Sequence, residues 1–183
     1  AGSALYSAAK SGFTLLPAIG FDVEALAAAI AAGPRLVFLG SPWNPVGPAL
    51  NAAALTRLTA SVPPGTLFVL DEAYHEYAPR DLIPDGHAFL AESGIDFAVL
   101  RTFSKAYGLA GERVGWATGS LRLIDVLNRI RGAFPIGNAA QAATLAAVGD
   151  QDFVEDAVAF FPLVAAFGVG EPFLGLGKQV EGR

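Results

Sequence analysis

From Phe21 the run FDVEALAAAIAAG places apolar residues at helical spacing, with Asp22 positioned to cap its start and Gly33 just past its end. A short, continuously apolar run follows at 36–41 (LVFLGS), the pattern of a strand buried on both faces of a parallel sheet. The unit then recurs. Residues 53–60 read as a helix, Pro63-Pro64-Gly65 as a connection, and 66–70 (TLFVL) as a second buried strand. A third strand is predicted at about 97–100 and a fourth at about 114–118, after which 121–131 returns to helical periodicity. Beyond Arg131, GAFPIGN reads as a loop, 139–148 and 152–160 as helices, and the Gly- and Phe-rich tail from 161 shows no sheet pattern. Helices alternating with buried strands predict an α/β fold, a three-layer arrangement with a mainly parallel sheet flanked by helices.

Composition narrows the function classes. With 53% hydrophobic and 16% charged residues over 183 positions, the chain can bury a substantial core, which excludes intrinsic disorder. Its 12 basic against 17 acidic side chains give a net charge of −5, and no dense Lys/Arg cluster offers a footprint for nucleic acid. The absence of cysteine excludes disulfide scaffolds, Cys-ligated zinc and iron–sulfur clusters, and two histidines leave no expected metal site. The uncharged stretch 36–56 is broken by Pro42, Pro45, Gly47 and Pro48, so no membrane span is expected there. The opening residues 1–11 lack the basic start and apolar stretch of a signal peptide, and the chain reads as soluble and cytoplasmic. Methionine is missing even at position 1, so a part of a longer protein is expected. The glycines of GVGEPFLGLG at 168–177 do not keep the spacing of a dinucleotide-binding loop.

In open α/β sheets, ligands bind at the carboxyl ends of the strands. Three polar clusters stand there: Ser41-Pro42-Trp43-Asn44-Pro45-Val46-Gly47, then Asp71-Glu72-Ala73-Tyr74, then Arg101-Thr102-Phe103-Ser104-Lys105, with Arg113 eight residues beyond the lysine. Each has an ordinary reading. Asn44 alone is a turn residue, Asp71 a helix cap, Tyr74 a half-buried aromatic, Lys105 a surface charge and Arg113 half of an ion pair. Asp71 followed by Glu72 also resembles the acidic strand end of a nucleoside triphosphatase, but the partner loop G-x-x-x-x-G-K-S/T is missing. Taken together, the clusters match the needs of pyridoxal phosphate: an amine for covalent attachment, a carboxylate for the pyridine nitrogen, donors for the ring oxygen, and a cationic, hydroxyl-rich cup for the phosphate.

Through LVFLGSPWNPVG, LFVLDEAYHEY, RTFSKAYGLAGERVGW and LNRIRGAFPIGNAAQAA, from about residue 5 to 158, the chain resembles the fold-type I pyridoxal-phosphate-dependent aminotransferases, and among them the histidinol-phosphate aminotransferases. The resemblance implies that Lys105 carries the cofactor as a Schiff base and shuttles a proton, that Asp71 pairs with the pyridine nitrogen, and that Asn44 and Tyr74 bond the ring oxygen. It gives the phosphate to Thr102, Ser104 and Arg113. Lys105, Asp71 and Tyr74 are the catalytic candidates. Where the family usually has P-N-N-P-T-G, this chain keeps the asparagine at Asn44 but differs at Trp43 and Val46. The aromatic residue that stacks on the ring falls at Ser3, with Tyr6 as substitute. The implied domains are a partial cofactor-binding large domain at 1–135, and connecting helices with the start of a small domain at 136–183.

The implied reaction is transamination between histidinol phosphate and 2-oxoglutarate in histidine biosynthesis. Its partners are therefore an amino acid or amino-alcohol phosphate, a 2-oxo acid, and a second copy of the complete protein as a homodimer. Related expectations are an aromatic aminotransferase, a threonine-phosphate decarboxylase, or a truncated, non-catalytic remnant.

Overall fold

A computed structural model describes residues 20–44, 47–79 and 81–160. Over these residues one sheet runs in the order β1 (Leu36–Gly40), β2 (Leu67–Asp71), β3 (Asp96–Thr102) and β4 (Gly115–Gly119). Strands β1 to β3 are parallel, and β4 returns antiparallel to β3. Helix α1 (Val23–Ala31) precedes the sheet, α2 (Ala52–Thr59) joins β1 to β2, and α3 (Gly86–Ala91) lies between β2 and β3. After β4 come α4 (Leu121–Ile130), α5 (Asn138–Gly149) and α6 (Gln151–Phe160).

Local signals set the helix starts. The Asp22 carboxylate accepts from the Ala25 N–H at 2.9 Å, Asn51 from Ala54 at 2.9 Å and Asp85 from Ala88 at 2.9 Å, each satisfying a donor that the first helical turn leaves without a partner. Gly33 ends α1 at φ +79°, a conformation that costs glycine little. The strands match the four expected runs to within one or two residues. Two features are absent from the sequence expectations: α3, which at six residues is too short for periodicity to show, and the direction of β4.

Side-chain alternation along the strands sorts the core. Val37 and Leu39, Phe68 and Leu70, and Phe97 and Val99 stand in register on one face, where Ala27 and Ile30 of α1, Leu55 and Leu58 of α2 and Leu90 of α3 cover them. On the other face Val69 and Ala98 are buried, while Phe38, Leu67 and Leu100 are half-buried. A second cluster of Phe103, Val114 and Ala140, packed against Tyr107 and Trp116, holds the 103–114 connection against α5. Leu58 has no exposed surface. Leu58→Ala is therefore expected to cost about 2–5 kcal/mol in a urea denaturation experiment, without touching the edge where the candidate site lies. Among the described residues no helix is long and apolar enough to cross a membrane.

Candidate active site

The parallel strands β1, β2 and β3 end at the same edge of the sheet, so Ser41, Asp71 and Thr102 are brought side by side although they are far apart in sequence. At the first exit the Ser41 N–H donates to the Asp71 carbonyl at 2.9 Å, and the Ser41 hydroxyl accepts from the Leu50 N–H at 2.8 Å. These two bonds fold the 41–50 loop back onto β2, with a further bond from the Trp43 N–H to the Pro48 carbonyl at 2.9 Å. Asn44 lies in the turn of this loop, and its side-chain amide donates to the Tyr74 hydroxyl.

At the second exit Asp71 is half-buried and its Oδ1 accepts from the Ala73 N–H at 3.0 Å. It caps no helix, because the next helical turn is a 3₁₀ turn at His75–Tyr77. Burial is the largest influence on the Asp71 carboxyl and pushes its pKa up; the Ala73 N–H opposes this, the neighbouring Glu72 adds to it, and Lys105 pulls the other way. A carboxylate in this state gains from a cation placed opposite it. The Lys105 amine sits 5.2 Å from the centre of the Tyr74 ring, a cation–π distance, so Asn44, Tyr74 and Lys105 converge, with Asp71 in electrostatic reach.

The third exit forms an oxygen- and nitrogen-rich cup. The Ser104 N–H donates to the Thr102 hydroxyl at 3.0 Å, the Thr102 hydroxyl donates to the Val114 carbonyl at 3.3 Å, and the Arg113 guanidinium reaches the Ser104 hydroxyl at 3.4 Å and the Ala110 carbonyl at 2.7 Å. The reversal of β4 makes this possible. Thr102 is registered against Gly115, so the chain enters β4 at the edge where β3 leaves, and Arg113 is delivered beside Ser104. A parallel β4 would carry Arg113 to the far edge. Arg113 is itself left-handed at φ 55°, ψ 43°, a conformation that costs a non-glycine residue about 1–3 kcal/mol and is concentrated at functional sites.

The predicted residues thus fall into two adjoining groups, Asn44–Tyr74–Lys105 with Asp71, and Thr102–Ser104–Arg113, joined through the Ser104–Lys105 peptide. Ser3 and Tyr6, the expected stacking positions, lie outside the described residues, as does the tail from 161. Sequence reasoning weighed Glu72 only as part of an acidic strand end, gave Arg101 no role, and missed that the two pair. Glu72 is 2% exposed, and its carboxylate takes Arg101 Nε at 2.9 Å, Arg101 Nη2 at 2.7 Å and the Gly86 N–H at 3.0 Å. Arg101 Nη2 also donates to Asp85 Oδ2 at 2.8 Å. A signal existed in the sequence, an acid and a base each adjacent to a candidate residue on neighbouring strands, but the pairing depends on register.

Solved aminotransferases share this fold. The histidinol-phosphate aminotransferase of Sinorhizobium meliloti in complex with pyridoxal-5'-phosphate superposes with a TM-score of 0.69 at 37% identity, over 75% of this chain and 37% of that one. The aspartate aminotransferase of Rhizobium meliloti gives 0.63 at 31% identity, over 84% of this chain and 38% of that one. Residues 5–161 match the model of aminotransferase class I and II, and the chain belongs to that family. It is 51% identical over 135 residues to the histidinol-phosphate aminotransferase of Erythrobacter litoralis, covering 73% of this chain and 36% of that relative. The chain therefore spans little more than a third of the length of such a relative.

Proposed function

We propose that this chain is the cofactor-binding portion of a pyridoxal-phosphate-dependent aminotransferase that takes its amino group from histidinol phosphate and passes it to 2-oxoglutarate. One observation carries the reading: Lys105, Tyr74 and Asn44 converge beside a half-buried Asp71 at the carboxyl edge of a parallel sheet. The donor set fits the cofactor. An amine, a carboxylate that gains from an opposing cation, an amide–phenol pair and a guanidinium with two hydroxyls are the complement of an aldehyde, a pyridine nitrogen, a ring oxygen and a phosphate. The chemistry that pyridoxal phosphate supplies is that of an electron sink for the charge left at the substrate α-carbon.

In this reading Asp71 holds the positive charge at the ring nitrogen, and its burial strengthens that pairing. The Tyr74 hydroxyl already accepts from Asn44, so its own proton is oriented away from that bond and is available to an oxygen anion. With the cofactor bound, the Lys105 amine would take the proton from the substrate α-carbon and deliver it to the cofactor carbon C4′. Arg113 offers a planar pair of donors to a phosphate, with the Thr102 and Ser104 hydroxyls beside it. Residues 1–135 form the cofactor-binding unit, and 136–183 lead toward the second domain. A homodimer in the cytoplasm accompanies this function; the exposed Leu121, Ile130, Phe134 and Leu145 supply apolar surface for a subunit contact.

The substrate assignment rests on the 51% identity with a histidinol-phosphate aminotransferase. It is tested by supplying the cofactor-loaded full-length protein with histidinol phosphate, aspartate, phenylalanine or phosphothreonine together with 2-oxoglutarate, and measuring glutamate and carbon dioxide. Glutamate formation from histidinol phosphate is expected to exceed that from the other donors by about tenfold or more in kcat/KM, the discrimination that a matched phosphate and imidazole contact provides. Faster transfer from aspartate or phenylalanine would overturn the donor, and carbon dioxide without glutamate would overturn the reaction.

A further inference from the structure

Strand alternation places Glu72 and Arg101 on the face covered by α1 to α3, and Asp71 and Thr102 on the opposite face. The buried ion pair therefore lies directly behind the candidate site. It joins the two strand exits beyond their last ladder bond, in which the Glu72 N–H donates to the Leu100 carbonyl at 2.8 Å. Past that point the chains diverge into separate loops. We infer that Glu72 and Arg101 are positioning residues, a clamp behind the sheet that holds the exit carrying Asp71 at a fixed spacing from the exit carrying Thr102, Ser104 and Lys105. The functional side of this inference rests on the reading of the site given above.

The geometry is that of a rigid clamp. Both Nε and Nη2 of Arg101 meet Glu72 Oε2, and Nη2 turns the same guanidinium onto Asp85 Oδ2 at the start of α3. The remaining Glu72 oxygen, Oε1, is taken by the Gly86 N–H at 3.0 Å. Three segments are thereby fixed to one another. Gly86 belongs to the device, since a Cβ there would lie 2.4 Å from Glu72 Oε1, so only glycine lets the backbone approach the carboxylate this closely. Stability alone does not account for the pair, because buried ion pairs are often matched or exceeded by apolar side chains of the same volume. What apolar packing does not supply is direction, and a planar guanidinium held by two carboxylates fixes angle as well as distance.

The test uses Glu72→Gln, which keeps an acceptor for Gly86, and Arg101→Lys, which keeps the charge, in the full-length protein. Leu58→Ala serves as a destabilised control remote from the edge. Amide hydrogen exchange of the protein without cofactor reports on the clamp itself. The Ala73 and Ser104 amides, bonded to Asp71 Oδ1 and Thr102 Oγ1, are expected to exchange about tenfold faster in both variants, the loss expected from weakening a charged hydrogen bond, while Val69 and Ala98 are unchanged. Pyridoxal phosphate is expected to bind about tenfold more weakly, and the pH midpoint of its bound visible band to shift. The Leu58→Ala control should alter neither. If Ala73 and Ser104 are no more affected than Val69 and Ala98, or if affinity follows melting temperature along one line for all three variants, the pair is only structural and the inference is overturned. Unaltered binding in the variants alongside faster exchange at Ala73 and Ser104 would overturn the functional side alone. If the unmutated protein binds no cofactor while the exchange result holds, the clamp stands and the proposed function fails.

Discussion

Lys105→Ala is expected to lower transamination by about 10²–10⁴-fold, the range for loss of a positioned acid–base group, with almost no change in stability. The two effects separate because of where the side chain sits. Lys105 is exposed, and its described contact is the face of the Tyr74 ring at 5.2 Å, worth about 0.5–1 kcal/mol. No core side chain depends on it. Steady-state kcat/KM and a urea denaturation curve on the same sample check the prediction, and a small added amine such as methylamine should restore part of the rate. An unchanged rate would mean that Lys105 is the surface charge that its sequence context also permits.

Asp71→Asn is expected to lower the rate by about 10²–10³-fold, comparable with loss of one electrostatic stabiliser in a preorganised site. It should also make the cofactor-free protein more stable at neutral pH. The sign follows from burial. The folded-state pKa of Asp71 is raised above its ordinary 3.8, chiefly by desolvation, so the native state holds this proton more tightly than the unfolded chain does. Stability is lost as pH rises from the unfolded value through the folded one, so the penalty grows as the buried carboxyl ionises. The amide removes the charge but keeps an acceptor for the Ala73 N–H. Denaturation curves should therefore place Asp71→Asn above the unmutated protein at pH 7 and bring the two together below about pH 3, where both forms of the carboxyl are protonated. Added cofactor should stabilise the unmutated protein more. A less stable Asp71→Asn protein at pH 7 without cofactor would show that the carboxylate serves the fold and not the site.

The parts of this architecture that were legible in the sequence are those whose causes are local. Asp22 and Gly33 bracket α1 because a cap and a left-handed terminus act within one helical turn. The apolar runs at 36–41 and 66–70 announce buried strands, since both faces of a parallel strand are covered. The candidate residues could be named because parallel strands end at one edge, which makes Asn44, Asp71 and Lys105 neighbours by class of fold.

What escaped depends on contacts between distant segments. Helix α3 is too short for periodicity to show, and what marks its start is the Asp85 cap. The direction of β4 leaves no trace in its composition, yet it is what sets Arg113 beside Ser104. Glu72 and Arg101 stand in the strand-end clusters, but only the register of β2 on β3 puts them together behind the sheet. Asn44 was recognisable as a candidate, but its bond to Tyr74 exists only because Ser41 folds the loop onto β2.

The most direct test of the central claim is borohydride reduction of the full-length protein loaded with pyridoxal phosphate, followed by peptide mapping. The 183 residues contain Lys10, Lys105 and Lys178. The account predicts a stable pyridoxyl adduct on Lys105, formed at one equivalent and lost in Lys105→Ala. An adduct on Lys10 or Lys178, or none that survives dialysis before reduction, would contradict it.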